Sequence, residues 1–291
     1  LYMKKKSSVY ITGHRHPDTD SIASSIAYAF FKKSMGIPTI PCRLGSLNAE
    51  TSYLLDRFGF QAPQLLQDAR MKLSEIDMDS PVSITPDTTI YDTLQIMQKT
   101  NRAYCGVVDE QNHLLGMVTK SDISVVGLDD TARSIDILAH TSSENIRKTI
   151  NGTILYDDDQ AVINGKVSVI AMTKPERLDH YEVEKRIVIV GADTMAQKKC
   201  ILLGAGMLII VWADSVEDAV IEEARAHHCP IILSGHGTMN TSRYLYFAPS
   251  VERIMKRNPI YFHTNELAED VGIKMLRNRY RAYPVVDQNE Q

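Results

Sequence analysis

The chain has 291 residues, 32 Lys and Arg against 36 Asp and Glu, a formal net charge of -4, and 44% hydrophobic residues. That length holds two or three domains, each able to bury a core. The slightly acidic balance excludes the basic field that recruits nucleic acid or a membrane surface. The most apolar stretch, residues 200–213, contains two glycines and falls short of the roughly 20 apolar residues of a bilayer span, so it reads as a helix end, a turn and a buried strand. Residues 3–6 run into two serines and a short strand rather than an apolar signal core, which makes the cytoplasm the expected compartment. Cys42, Cys105, Cys200 and Cys229 stand far apart with no CxxC pair and read as reduced, structural thiols.

In chain order, the β-branched run at 9–12 predicts a strand that Gly13 breaks. Ser21 is positioned to cap a helix whose apolar positions Ile22, Ile26 and Phe30 recur every four residues, and Gly36 with Pro38 stops it. A second strand at 39–42 completes a βαβ unit, with its functional loop at the carboxyl end of the first strand, where open α/β sheets place their ligands. A composition shift at 63–72 marks a boundary. Beyond it the pattern predicts a strand at 82–85, a helix at 89–100, a strand at 106–109, a turn at 110–113 and a strand at 115–119.

Val107-Val108-Asp109 recurs as Val285-Val286-Asp287, an offset of 178 at which Asp92 also meets Asp270 and Met97 meets Met275. A repeated βαββ module with an insertion between its copies is the economical account. The second copy stops after its Val-Val-Asp strand, so the chain is expected to end within a module. Between the copies, strands at 187–190, 207–211 and 231–233 alternate with helices at 194–203 and 216–227, a small α/β domain of its own. Asp157-Asp158-Asp159 reads as a solvated turn, and His227-His228 as a helix end where imidazoles favour the negative pole of the dipole.

The segment Gly13-His14-Arg15-His16-Pro17-Asp18-Thr19-Asp20-Ser21 gathers imidazoles and two carboxylates on a strand-to-helix loop that proline stiffens. Mixed imidazole and carboxylate ligands suit manganese, cobalt, magnesium or zinc. Two such ions about 3.5 to 4 Å apart stabilise the attacking and leaving oxygens of a phosphoryl displacement. The simpler reading of an isolated Asp-x-Asp is a helix cap and a polar turn.

Gly13-His14 with Pro17-Asp18-Thr19-Asp20-Ser21-Ile22 resembles the opening motif of the DHH phosphoesterases, in the form used by family II inorganic pyrophosphatases, over residues 8–65. On that resemblance His14 and Asp18 are ligands of one metal and Asp20 of the second. His16 stands where the family commonly has asparagine and is not counted as a ligand. The βαββ repeat resembles the CBS domain, whose paired copies bind an adenine nucleotide in the cleft between them. Thr119 and Asp122, three apart where a strand leads into a helix, match that family's phosphate and ribose contacts. Tyr104, Cys105, Met117 and Tyr283 stand beside strands as candidates to flank the base. From the residues alone, a helix cap at Ser121 or Asp122 and core packing of the aromatics stay open. The insert resembles the DRTGG domain by position, with Gly191-Ala192-Asp193 where the signature run would be.

The order of these parts is similar to that of the CBS-containing subclass of family II pyrophosphatases. The resemblance implies an α/β architecture: a partial Rossmann-like DHH domain (1–65), then a CBS pair (66–128 and a truncated 249–291) interrupted by a small α/β DRTGG-like domain (129–248). It implies hydrolysis of pyrophosphate to two phosphates at a two-metal Mn2+ or Co2+ site, with Mg2+ accompanying the substrate. It also implies regulation by AMP, ADP or ATP at the CBS cleft, activation by a diadenosine polyphosphate, and a homodimer through the CBS modules. The continuation of the DHH domain is not found in these residues, so the chain by itself is expected to be an incomplete, inactive fragment. Two alternatives stay open: a non-catalytic adenine-nucleotide sensor that keeps the metal-loop sequence, and another DHH phosphoesterase acting on cyclic dinucleotides or short oligonucleotides.

Overall fold

The computed structural model describes residues 8–128, 131–171, 174–278 and 280–291; the reading of residues 3–6 lies outside them. The chain forms two compact units, residues 1–79 with 262–281, and residues 80–261 with 282–291. Among the described residues, no helix is long and apolar enough to cross a membrane.

In the first unit, β1 (Val9–Ile11), α1 (Thr19–Ser34) and β2 (Thr39–Arg43) form the βαβ unit, with β1 and β2 parallel and Val9 opposite Thr39. Helix α2 (Ala49–Phe58) is capped by Asn48 and closed by left-handed Gly59, and β3 (Gln64–Leu65) adds in parallel beyond β2. The start of α1 corrects the expectation at Ser21. Extended Asp18 is the cap, its Oδ1 accepting from the Ser21 N–H at 2.9 Å, and Ser21 lies inside the helix. A carboxylate there also meets the positive pole of the helix dipole, which a hydroxyl does not. The buried stripe is corrected as well: Ile22, Ser25 and Ala29 are buried, whereas Phe30 is 76% exposed. Apolar residues recurring every four positions drift around a helix of 3.6 residues per turn, and by Phe30 the row has left the buried face.

The second unit opens with β4 (Ser83–Ile84), α3 (Ile90–Lys99), β5 (Tyr104–Val108), β6 (Leu114–Thr119) and α4 (Lys120–Leu128), the first copy of the repeat. β4 runs parallel to β5, and β5 and β6 form an antiparallel hairpin. Asp109 Oδ1 fixes its turn by accepting from the N–H groups of Gln111 and His113. Strand alternation sends Cys105, Val107 and Val118 into a core shared with Ile90 and Met97 of α3.

The insert follows α5 (Thr131–Ala139) and α6 (Ser143–Thr149). Its elements are β7 (Thr153–Tyr156), β8 (Val167–Val169), β9 (Ile187–Val190), α7 (Thr194–Leu202), β10 (Met207–Ile210), α8 (Asp218–Ala226), β11 (Ile231–Leu233) and α9 (Thr238–Leu245). The sheet order is β7-β11-β10-β9-β8, parallel except for β7. Its central strands are unbroken apolar runs because helices cover both faces. Val188, Val190, Leu208 and Ile210 pack with Cys200 of α7 and Val220 of α8; Ile187, Ile189, Met207 and Ile209 pack with Ile146 of α6 and Leu245 of α9. All four cysteines are free and buried, and burial pushes the thiols of Cys200 and Cys229 up to about 12, which leaves them inert.

β12 (Lys256–Arg257) pairs antiparallel with β6. β13 (Phe262–His263) and α10 (Ala268–Asn278) belong to the first unit, where the Leu73 N–H donates to the Glu266 carbonyl and the Ser74 N–H to the Thr264 carbonyl, both at 2.9 Å. β14 (Val285–Val286) belongs to the second, where the Leu114 N–H donates to the Glu290 carbonyl at 3.3 Å. The repeat offset carries Ile90, first residue of α3, onto Ala268, first residue of α10. Burial is not repeated: Met97 is fully buried and Met275 is 40% exposed.

Candidate functional site

The loop between β1 and α1 leaves the carboxyl end of a parallel strand. Gly13 is required there, since a Cβ would lie 1.8 Å from Ser21 Oγ. Buried Pro17 anchors the loop, while His14, His16, Asp18 and Asp20 are exposed. His14 Nε2 stands 3.4 Å from Asp18 Oδ1, the same oxygen that caps α1. Asp20, in the first turn, does not join them: among the described residues no three His, Cys, Asp or Glu side chains form a group that could hold a metal. The structure thus brings His14 to Asp18.

The nucleotide candidates gather at the β5–β6 hairpin. Tyr104 lies opposite Thr119 and Gly106 opposite Met117, so Tyr104, Met117 and Thr119 share the face turned away from the module core. Each is partly buried. Cys105 corrects the expectation that it flanks a base: it is fully buried in that core, and its thiol is pushed up to about 11 by burial. Thr119, not Ser121 or Asp122, precedes the first turn of α4 and caps it. Asp122 Oδ2 accepts from the Thr119 N–H at 2.9 Å and from its hydroxyl at 2.7 Å, and Thr119 Oγ1 lies 3.2 Å from the Asp122 N–H. Tyr283 is partly buried two residues before β14, at the position that the repeat offset assigns to Cys105.

The Asp157-Asp158-Asp159 run makes structural links. Asp158 accepts from the Tyr156 hydroxyl and the Gln160 N–H, and lies 2.9 Å from His228 Nδ1. The Tyr156 hydrogen bond, followed by those of Gln160 and His228, lowers the Asp158 carboxyl to about 2. His227 turns instead to its own helix, with Nδ1 3.0 Å from the Glu223 carbonyl.

The DRTGG domain model matches residues 145–246, and the CBS domain model matches 73–127 and 251–291. The chain is 35% identical over 289 residues to the cobalt-dependent inorganic pyrophosphatase of Clostridium perfringens, covering 98% of this chain and 52% of that protein. It is 25% identical over 289 residues to the probable manganese-dependent inorganic pyrophosphatase of Thermotoga maritima, with the same shares covered. The chain spans about half the length of these relatives. The crystal structure of the CBS and DRTGG domains of the regulatory region of the Clostridium perfringens pyrophosphatase, complexed with the activator diadenosine tetraphosphate, matches with a TM-score of 0.67 at 28% identity, covering 76% of this chain and 97% of that one. The chain thus carries a CBS pair interrupted by a DRTGG domain, and along almost all of its length it is similar to about half of an inorganic pyrophosphatase.

Proposed function

We propose that this chain is a portion of a metal-dependent inorganic pyrophosphatase, in which residues 1–65 contribute to a Rossmann-like DHH catalytic domain. The CBS copies (66–128 and 249–291) and the DRTGG domain between them (129–248) tune the hydrolysis of pyrophosphate to two phosphates. The observation that carries this reading is the approach of His14 Nε2 to Asp18 Oδ1, 3.4 Å, on a strand-to-helix loop. His14 and Asp18 would hold one ion and Asp20 would contribute to a second; Mn2+ or Co2+ suits these donors, with Mg2+ accompanying the substrate. Bound ions supply an acidified water and neutralise phosphate charge. The chain's own contribution is positional: the Ser21 N–H holds the Asp18 carboxylate at the mouth of the loop.

Exposed apolar surface supports a larger catalytic domain. Ile26, Phe30, Leu54, Phe58 and Phe60 line a cavity of about 580 Å³ between α1 and α2. A contiguous apolar surface of this kind marks a place where another element packs. On the regulatory side, Asp122 accepts from the ribose hydroxyls of AMP, ADP or ATP and Thr119 donates to phosphate, with Tyr104, Met117 and Tyr283 beside the base. A diadenosine polyphosphate activates, as in the Clostridium perfringens relative, and the CBS modules pair two copies in the cytoplasm.

The test is phosphate release from pyrophosphate by the complete gene product with manganese or cobalt, alone and with AMP or diadenosine tetraphosphate. Metal-dependent release that AMP lowers and the dinucleotide raises is expected; no release with either metal overturns the enzyme reading. A second reading is a non-catalytic nucleotide sensor, supported by the CBS and DRTGG matches that take up most of the chain. It predicts AMP binding with no phosphate release from the complete protein.

A further inference from the structure

The second unit contains a cavity of about 1190 Å³ walled by α3, α4, α5, α9 and the edge strand β8. Lys120, Lys166, Arg186 and Arg243 line it, and among the described residues no Asp or Glu does. The chain as a whole carries more acidic residues than basic ones, 36 to 32, so this segregation of cations is a local feature. Lys120, Lys166 and Arg243 are exposed, and among the described residues their side chains have no ion-pair partner. Arg186 pairs with Glu182, whose side chain is 82% exposed.

Three uncompensated cations, with Arg186 beside them already paired to Glu182, focus the field on an anion inside a concavity with apolar walls. Here the walls between the charges include Ile123, Val167 and Phe247. Small-molecule sites run to about 300 to 1,000 Å³, so the space admits a ligand of nucleotide size. Two lysines bring point charges and two arginines bring the planar fork that matches phosphate oxygens. Four cations match a chain of three or more phosphoryl groups better than a single carboxylate. Thr119 and Asp122 themselves are not among the lining residues, although Lys120 and Ile123 beside them are, so the Asp122→Ala variant is needed to tell the two sites apart.

We propose that this cavity binds an oligophosphate chain, either inorganic or carried by a nucleoside whose ring lies on the apolar wall. The test is calorimetric titration of inorganic tripolyphosphate and of ATP into the 291-residue chain, its Lys166→Gln/Arg243→Gln variant, its Lys166→Arg/Arg243→Lys variant and its Asp122→Ala variant. Tripolyphosphate affinity should fall about tenfold or more in the charge-removing variant. It should persist in the charge-conserving and Asp122→Ala variants, and weaken as salt is raised. ATP binding more tightly than tripolyphosphate to Asp122→Ala identifies a nucleoside-borne chain, and equal binding identifies the inorganic one. Absence of tripolyphosphate binding, or equal affinity in the charge-removing variant, overturns the proposal. So does loss of binding in Asp122→Ala alone, which would move the anion to the CBS cleft and leave the nucleotide reading there intact.

Discussion

The Asp122 carboxylate is held by the same Thr119 whose hydroxyl is the candidate phosphate donor, 2.7 Å away. A hydroxyl has one proton, so donating it to phosphate means releasing Asp122 Oδ2, and cap and ligand contact exchange for one another. Asp122→Ala removes the acceptor for both Thr119 donors and should cost about 0.5 to 2 kcal/mol of stability, the range of a lost helix cap. The same change should weaken AMP binding roughly ten- to a hundred-fold, because a hydrogen bond to a charged group is lost. Basal hydrolysis in the complete protein should change less, since coupling between sites is typically about 1 to 3 kcal/mol. Urea melts and calorimetry separate the effects; unchanged AMP affinity in a folded variant refutes the site.

Asp18 and Asp20 carry different loads although they stand two residues apart. Asp18 caps α1 through Ser21, whereas Asp20 has no such role. Asp18→Ala should lower stability by about 1 kcal/mol and Asp18→Asn by less, because asparagine also caps well. In the complete protein Asp18→Ala, Asp18→Asn and Asp20→Ala should each remove most of the activity, with the regulatory block still folded. The 291-residue chain should release no more phosphate with manganese than its Asp18→Ala/Asp20→Ala variant; release well above that level would sink this assignment.

The Tyr156, Asp158 and His228 link predicts a pH dependence. The folded carboxyl of Asp158 lies at about 2, below its ordinary 3.8, so the unfolded chain binds the proton more readily as acid is added. The link's contribution is complete above about pH 4 and disappears as pH falls through 2. The difference in melting temperature between the wild type and Asp158→Asn should be present at pH 5 and close as pH falls below 4. A gap that widens on acidification contradicts it.

Gly165 has a left-handed backbone with φ of +76, and a Cβ built there would lie 1.8 Å from the Ile135 carbonyl oxygen. Gly165→Ala should therefore destabilise by more than about 1 kcal/mol, since neither backbone nor space accepts the methyl group. Denaturant unfolding monitored by circular dichroism measures this. Wild-type stability would show that the carbonyl yields at no cost.

The elements were legible where local pattern is enough to specify them. The apolar runs of β9 and β11 and the amphipathic α3 fall where periodicity puts them, because burial on both faces or on one is written into the order of side chains. The role of Cys105 was not legible: the hairpin register at Tyr104 and Thr119 decides which alternate residues turn inward. The same holds for Phe30, whose exposure follows from helix phase rather than from its hydrophobicity.

By itself, the sequence determined the loop chemistry at Gly13 to Ser21, the repeat at an offset of 178 and the alternation of strands and helices in the insert, since each is a short-range or self-similar pattern. Tertiary structure alone decided that His14 meets Asp18, and that Lys120, Lys166, Arg186 and Arg243 surround one cavity. Those four cations belong to no motif. They converge because α4, α9 and the strands β8 and β9 pack in the same compact unit, and packing brings together side chains whose spacing along the chain carries no signal.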